Sequence, residues 1–392
     1  MPWQESCAMD ERVRFIADQQ SGSWTMTELC ERYGISRKVG YKWLDRYRLE
    51  GAAGLMDRSH APHVHGRATA PNIVEAIVGL RRERPSWGPR KIVAKLEQRQ
   101  PAVDWPSAST AGELLKRAGL VDRRRTRRRA PPRLGELTVP QYANHVWSID
   151  HKGWIRLGDG SRLEPFTTTD GFSRYLIGLA ATSSTRHAEC RPLLERAFQE
   201  YGLPEVIRSD NGAPFASTGK TGLTAMSVWW IKLGIRHERI DPGHPQQNGR
   251  HERFHFTLLE AMRPPSPNRT AQARRFAAFV RDYNEERPHE ALGQRPPASV
   301  YQPSSRSMPT HLPEPAYPAE AAVRQVRSNG EIKWRGDLIH ICTSLIGETI
   351  AIEETENGHW QVRFFAVPIG IIDRQTRRLR GTDSAARQGK EP

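Results

Sequence analysis

Three carboxylates stand at positions where the chain could carry out metal-dependent chemistry. Asp150 follows the apolar segment VWSI, and Asp210 ends the predicted strand EVIRSD just before an Asn-Gly turn. Glu252 lies on the predicted helix that follows Pro245. A charge that interrupts a buried strand is unfavourable unless it is paired or binds a cation. Hard oxygen ligands without cysteine suit Mg²⁺ or Mn²⁺, and two such ions can hold the attacking and leaving oxygens of a phosphoryl displacement.

The elements that would position these carboxylates form a predicted α/β domain over residues 139–302. Three strand-like segments come first, and they are HVWSIDHKGWIRL, EPFTTTDGFS and RYLIGLAATSS. Helical and strand-like segments then alternate up to the helix HPQQNGRHERFHFTLLEAM, and a further helix is predicted over about 270–285. This order predicts a mixed sheet with helices on both faces.

The N-terminal part predicts DNA-binding modules. Residues 8–52 read as a helix-turn-helix domain, with Gly34 in the turn and Ser36 as the cap of the second helix. That helix carries four basic candidates for DNA contact, which are Arg37, Lys38, Lys42 and Arg46. A three-helix bundle with a solvated basic face is the alternative. Residues 70–122 predict a second helix-turn-helix domain, in which Pro89 begins a helix.

Residues 123–138 predict an extended basic linker that could follow a phosphate backbone. Its DNA-binding candidates are Arg123, Arg124, Arg125, Arg127, Arg128 and Arg129. Beyond the α/β domain, residues 321–377 carry short alternating runs separated by Asn-Gly turns, which predicts a small β-barrel. Residues 378–392 are predicted to be a disordered tail.

The charge distribution agrees with a nucleic-acid partner. Of the 59 basic residues 49 are Arg, which suits bidentate phosphate contacts, and the formal net charge is +15. Residues 1–135 carry 26 basic and 15 acidic side chains, whereas the other 257 residues carry 33 and 29. A basic chain of this kind indicates a polyanion partner, although a protein that is merely basic would show the same total.

Composition excludes several other classes. An apolar fraction of 37% is too high for a disordered chain. We find no apolar run long enough for a membrane span and no signal peptide, so no membrane partner is expected. The four cysteines (Cys7, Cys30, Cys190 and Cys342) are scattered, which favours reduced thiols in a cytoplasmic protein.

The ordered motifs WSIDHKG, TTTDGFSRY, IRSDNGAPF and HPQQNGRHERFH resemble the integrase core of DDE transposases of bacterial insertion sequences, which are related to retroviral integrases. The resemblance runs from about 140 to 300, and the flanking domains fit the same family. It implies a ribonuclease-H-like fold with Asp150, Asp210 and Glu252 as the catalytic and metal-binding acids. It also implies two Mg²⁺ or Mn²⁺ ions, hydrolysis at the 3′ ends of a mobile element, and attack of each new 3′-OH on target DNA.

The same resemblance assigns roles around these acids. Forty-one residues separate Asp210 from Glu252, more than is common in the family, and the extra residues are placed in the surface loop ASTGKTGLTAMS. Glu238, on a predicted strand, is the alternative acid, but it lacks the helical context that Asn248 gives Glu252. Asp170 is interpreted as structural. Four side chains that flank Glu252 could hold a DNA end or be ordinary solvated charges, and they are Arg250, His251, Arg253 and His255.

The sequence therefore predicts a DNA transposase. Its expected partners are double-stranded element ends and target DNA, and a homo-oligomer is expected on DNA because two ends must be handled together. It would be cytoplasmic in a bacterium and nucleoid-associated when bound to DNA. One alternative is a DNA-binding regulator whose integrase-like core no longer catalyses, and another is a nuclease without strand transfer.

Overall fold

The computed structural model describes residues 7–58, 68–121, 137–241 and 249–381. It divides into two compact units, residues 1–69 and 70–392. Within the described part of the chain, no helix is both long and apolar enough to cross a membrane. All four cysteines are free thiols.

The first unit is a helix-turn-helix domain. Its helices are α1 (Ala8–Gln20), α2 (Met26–Arg32) and α3 (Arg37–Glu50), followed by a 3₁₀ turn, Gly51–Leu55. The side chain of Thr25 caps α2 and that of Ser36 caps α3, each by accepting a backbone N–H bond. Gly34 joins the two helices at a φ of +63°, which favours glycine. The helices bury a shared core that includes Phe15, Ile16, Leu29, Leu44 and Leu55.

The second unit begins with another helical module. It consists of α4 (Pro71–Glu83), α5 (Pro89–Arg99) and α6 (Ala108–Arg117). Proline at the first position of α4 and α5 fits a helix start, where its missing N–H leaves no hydrogen bond unmade. The three helices enclose an apolar core that includes Ile77, Trp87, Ile92, Leu96 and Leu115.

A mixed sheet forms the centre of the second unit. Its strands are β1 (Val146–His151), β2 (Ile155–Arg156), β3 (Arg162–Asp170), β4 (Leu176–Thr182), β5 (Val206–Ser209) and β6 (Arg236–Arg239). Five of them lie in the order β4-β3-β1-β5-β6, and β2 pairs with the start of β3. The β1–β3 and β3–β4 pairs are antiparallel, whereas β5 runs parallel to both β1 and β6. The first predicted strand is therefore two strands, β1 and β2.

Helices cover both faces of this sheet, as predicted. On one face lie α7 (His187–Tyr201) and α8 (Ala225–Lys232), and on the other lie α9 (Gly249–Ala261) and α10 (Arg269–Arg281), which a single π turn, Asp282–Glu286, extends. Residues alternate along β1 because successive side chains point to opposite faces. Trp147 and Ile149 join the core under α7 and α8, which leaves Ser148 and Asp150 on the α9 face.

The C-terminal region is an open antiparallel sheet rather than the predicted small barrel. Its strands are β7 (Ala322–Gln325), β8 (Glu331–Trp334), β9 (Asp337–His340), β10 (Thr349–Glu354), β11 (Trp360–Phe364), β12 (Val367–Ile372) and β13 (Leu379–Arg380). The sheet order is β13-β12-β11-β10-β7, with β8-β9 as a separate ribbon. Among the described strands no pair joins β7 to β13, because the ribbon and α8 cover the core instead. The predicted disordered tail begins with a strand, Leu379–Arg380, and residues 382–392 lie outside the described part.

One helix belongs to two hydrophobic cores. From α8, Met226, Trp229 and Trp230 pack into the core of the central sheet, whereas Val228 is buried in the C-terminal core. Leu223, in the loop predicted to be a surface insertion, packs against that second core, and its carbonyl oxygen accepts a hydrogen bond from the Ser344 hydroxyl. This loop is therefore partly a domain contact.

Candidate active site

The structure brings Asp150 and Asp210 to neighbouring positions at the ends of two parallel strands. Ser148 of β1 pairs with Arg208 of β5, and each aspartate stands two residues further along its own strand direction. Neighbouring strands lie about 4.8 Å apart, so the two carboxylates extend from the same edge of the sheet. The Asp210 carboxylate accepts a hydrogen bond from the backbone N–H of Gly212 at 3.1 Å, which orients it in the turn.

Glu252 lies in the first turn of α9 and contributes to the electrostatics of Asp150. Burial raises the pKa of Asp150 to about 7, and repulsion from Asp210 and Glu252 adds to the rise. The Glu252 side chain is exposed, whereas Asp150 and Asp210 are half-buried. A bound cation would offset the repulsion that the other two carboxylates exert on Asp150.

Two buried histidines seat α9 on the sheet beside Asp150. The hydroxyl of Thr167 donates to the backbone carbonyl oxygen of Asp150 at 3.0 Å. Since that hydroxyl has a single hydrogen, the Nε2 atoms of His251 and His255, at 2.7 and 2.9 Å, donate to it. The Nδ1 atom of His251 then accepts from the Thr169 hydroxyl at 2.9 Å. His251 is thereby fully used in packing.

The second ring nitrogen of His255, Nδ1, faces Asp150. Because its Nε2 carries the proton, its Nδ1 is a bare lone pair, and it lies 3.7 Å from the Oδ2 atom of Asp150. Burial lowers the pKa of His255 to about 3, with repulsion from Lys152 and His151 adding to it, so the ring stays neutral. Two acceptor atoms that face each other across this distance fit a cation between them, and Asp150, His251 and His255 form a cluster with metal-ligand spacing.

The four candidate residues that flank Glu252 differ in their exposure to solvent. His251 and His255, predicted as candidates to hold a DNA end, are 1% and 5% exposed, so that interpretation is wrong for both. Arg250 and Arg253 are exposed, and Arg250 donates to the carbonyl oxygen of Gly171 at 3.3 Å. The i, i+4 spacing of the two histidines was a signal for one shared helix face, but the sequence did not show that this face is buried.

Glu238, the alternative acid, is used in a buried ion pair. Its carboxylate accepts bonds from Nε and Nη2 of Arg208, at 2.8 and 2.6 Å, and from the N–H and hydroxyl of Thr138. Although burial alone raises its pKa, these hydrogen bonds hold the pKa of Glu238 below its ordinary value. Asp170 is likewise structural, because its carboxylate accepts from the N–H groups of Asn144 and Ser173 and from the Ser173 hydroxyl.

The other predicted DNA contacts lie outside this site. On α3, Arg37, Lys38 and Lys42 are exposed, and Arg46 is half-buried over the ring of Trp43 at 5.0 Å. The six linker arginines fall in 122–136, outside the described residues. Asn248 also lies outside them, so its relation to Glu252 stays a prediction.

The mixed sheet with helices on both faces lies in the part of the chain that matches integrase cores. Residues 140–245 and 233–297 match families described as "Integrase core domain". Residues 321–380 match "IS481 family transposase, C-terminal domain". At the N-terminus, residues 11–63 match "Helix-turn-helix domain" and residues 39–115 match "Homeodomain-like domain".

Insertion-element proteins are among the relatives. The chain is 29% identical over 280 residues to the insertion element IS476 uncharacterized 39.2 kDa protein of Xanthomonas euvesicatoria, a match covering 70% of this chain and 77% of that protein. It is 29% identical over 225 residues to the insertion element IS407 uncharacterized 31.7 kDa protein of Burkholderia multivorans, covering 57% and 78%. The magnesium complex of the HTLV-2 integrase catalytic core is similar with a TM-score of 0.31, at 15% identity, over 41% of this chain and 98% of that one.

These matches make the chain similar to the bacterial insertion-sequence transposases with a retroviral-integrase-like core. The family resemblance inferred from the motifs is thereby confirmed.

Proposed function

We propose that this chain binds the ends of its mobile element, cleaves their 3′ ends and joins them to target DNA. The observation that supports this best is the repulsion that the Asp210 and Glu252 carboxylates exert on Asp150. The two helix-turn-helix domains bind the DNA, and the chain acts as an oligomer because two ends must be handled together.

The donor set fits a divalent cation. Asp150, Asp210 and Glu252 would hold two Mg²⁺ or Mn²⁺ ions, and the bare Nδ1 of His255 would be a nitrogen ligand beside Asp150. When bound, such ions supply charge stabilisation for the attacking and leaving oxygens of an in-line displacement. Thr167 and His251 keep α9 seated, which positions Glu252 against the two aspartates.

The proposed reaction has two displacements at phosphorus. In the first, a water oxygen attacks at the element end, the P–O3′ bond breaks, and the element keeps a 3′-OH. In the second, that 3′-hydroxyl oxygen attacks a target phosphate, the target's own P–O3′ bond breaks, and the proton ends on the departing 3′-oxygen. The chain's task is to hold the DNA end and the carboxylates in place, since positioning alone can supply much of the rate.

A joining assay tests this proposal against its alternatives. Duplexes that carry the inverted repeats flanking the gene are incubated with the full chain, a target plasmid and Mg²⁺. We expect single-end and two-end insertions into the plasmid. End binding without any cut would instead indicate a regulator with an inactive core, and cutting without joining would indicate a nuclease.

A spectroscopic measurement tests the role of His255. Pulsed EPR of the Mn²⁺-loaded chain should show the ¹⁴N coupling of a directly bound imidazole, and the His255→Gln variant should lose it. We also expect Mn²⁺ affinity to fall at least about tenfold, since even the outer-shell partners of metal ligands contribute that much.

His251→Gln is the matched control, because His251 makes both of its bonds to threonines. A coupling that persists in His255→Gln and disappears in His251→Gln would overturn the assignment.

A further inference from the structure

A groove of about 990 Å³ separates the second helical module from the catalytic face of the sheet. Its walls come from α5 and α6 on one side and from α9 and the segment after the π turn on the other. Seven cationic side chains from four stretches of the sequence line it. Arg81 donates to backbone carbonyl oxygens and Arg90 pairs with Glu290, and the other five are Lys91, Arg174, Arg250, Arg253 and Arg287.

Ion pairs hold the two walls together. The ammonium of Lys95 on α5 lies 2.6 Å from the Glu286 carboxylate in the π turn, and Lys95 is largely buried. Arg84, at the end of α4, pairs with Asp282 in the same turn. The module is thus docked on the core through ion pairs that do not involve Lys91, Arg174, Arg250, Arg253 or Arg287.

Among the described residues, none of these five cations makes an ion pair with a carboxylate, whereas their neighbours Lys95 and Arg84 do. The lining also includes Glu260 and Glu290, and Glu290 is engaged by Arg90. The groove therefore carries an excess of positive charge.

Several of these cations are partly buried. Burial lowers the pKa of Lys91 to about 7, and repulsion from Arg287 and Arg253 lowers it further. Burial also lowers the pKa of Arg287 and of Arg174. Bringing like charges together in a half-buried groove is unfavourable unless an anion enters, so the fold anticipates an anionic ligand.

The position of the groove identifies the anion. Arg250 and Arg253 flank Glu252 on α9, and Lys91, in the first turn of α5, is close enough to Arg253 and Arg287 to be repelled by them. Arginine forks match phosphate oxygens, and a groove lined by several cations matches a backbone that carries several phosphates. We propose that this groove holds the DNA backbone that runs from the second helix-turn-helix module to the scissile phosphate. The inference rests on the proposed function.

Salt-dependent DNA binding tests the groove. The probe is a short duplex of mixed sequence, and the full chain is titrated without metal, so binding is measured independently of cleavage. Each lost phosphate contact makes the slope of log K against log salt shallower by about 0.9, so we expect Lys91→Gln/Arg287→Gln to reduce the slope by about 2 and to weaken binding at least tenfold at physiological salt. The matched control is Arg274→Gln/Arg281→Gln, which removes the same charge from exposed positions of α10 outside the groove.

The outcomes separate the two proposals. Equal loss in both double variants, or none in either, overturns the groove assignment, and so does displacement of the duplex by an equal concentration of RNA. Should the first variant fold poorly, the exposed Arg253→Gln is expected to reduce the slope by about 1 on its own. A wild-type chain that binds through the groove but never joins DNA would contradict the proposed function and leave the groove intact.

Discussion

The Asp210→Asn variant should lose both end cleavage and strand joining while it still binds DNA. Asn keeps the size of the side chain but removes the charge that would hold a cation beside Asp150. Metal ions contribute several kcal/mol to such displacements, so we expect the joining rate to fall at least ~1,000-fold, which is about 4 kcal/mol in the barrier. Rates are measured in single-turnover joining assays with Mg²⁺ and with Mn²⁺.

We do not expect misfolding of the variant to cause this loss of activity. Asp210 repels Asp150 in the wild type, so removing its charge should leave the stability of the free protein unchanged or raised. Asp159→Asn is the matched control, because Asp159 lies exposed in the β2–β3 turn, where it accepts bonds only from Ser161. Strand transfer retained by Asp210→Asn, or lost equally in Asp159→Asn, would refute the catalytic assignment.

Glu238→Gln should have the opposite signature, with stability lost and chemistry kept. The carboxylate faces Arg208 across β5 and β6, and both side chains are about nine-tenths buried. Removing one partner of a buried pair leaves an uncompensated charge, so we expect the free energy of unfolding to fall by about 3 kcal/mol. Urea unfolding measures this change, and the variant should still join DNA at temperatures where it is folded.

The exposed pair Arg363–Glu353 provides the control. It also links neighbouring strands, at 3.3 Å, but about a third of each side chain is exposed. Glu353→Gln should therefore change stability by no more than about 0.5 kcal/mol. Since the folded pKa of Glu238 lies below its ordinary 4.5, its stabilisation is complete above that pH and is lost as the pH falls through the lowered value. If the folded Glu238→Gln variant failed to join DNA, Glu238 would again be a candidate for the catalytic acid.

Local signals in the sequence predicted much of the fold. Ser36 as a cap, Pro89 as a helix start and the apolar strand before Asp150 each depend on a few neighbouring residues, and each lies where it was expected. Closure of the C-terminal sheet depends instead on which distant elements cover its core. The sequence could not show that α8 does so, and the barrel prediction failed there.

The same distinction between local signals and long-range packing applies to the candidate active site. Asp150 and Asp210 could be predicted as neighbours because each follows a strand, and strand ends bring side chains to one edge of the sheet. For His255 the sequence left a DNA contact and a solvated charge open, because it could not show the burial of this ring against Thr167, which is 88 residues away in sequence. The groove cations were missed for the same reason, since Lys91 and Arg287 meet only when the helical module docks.

The double role of α8 constrains how this protein can be divided. A chain that ended at residue 302 would leave Val228, which is 6% exposed, and its neighbours Leu223 and Ile231 without their apolar partners. It would also leave Lys232 without its ion-pair partner, since its ammonium donates to the two carboxylate oxygens of Glu348 at 2.8 and 3.0 Å. Because α8 is shared, we expect the catalytic core and the C-terminal sheet to unfold together, and mutations in the terminal strands to affect the loop after Asp210.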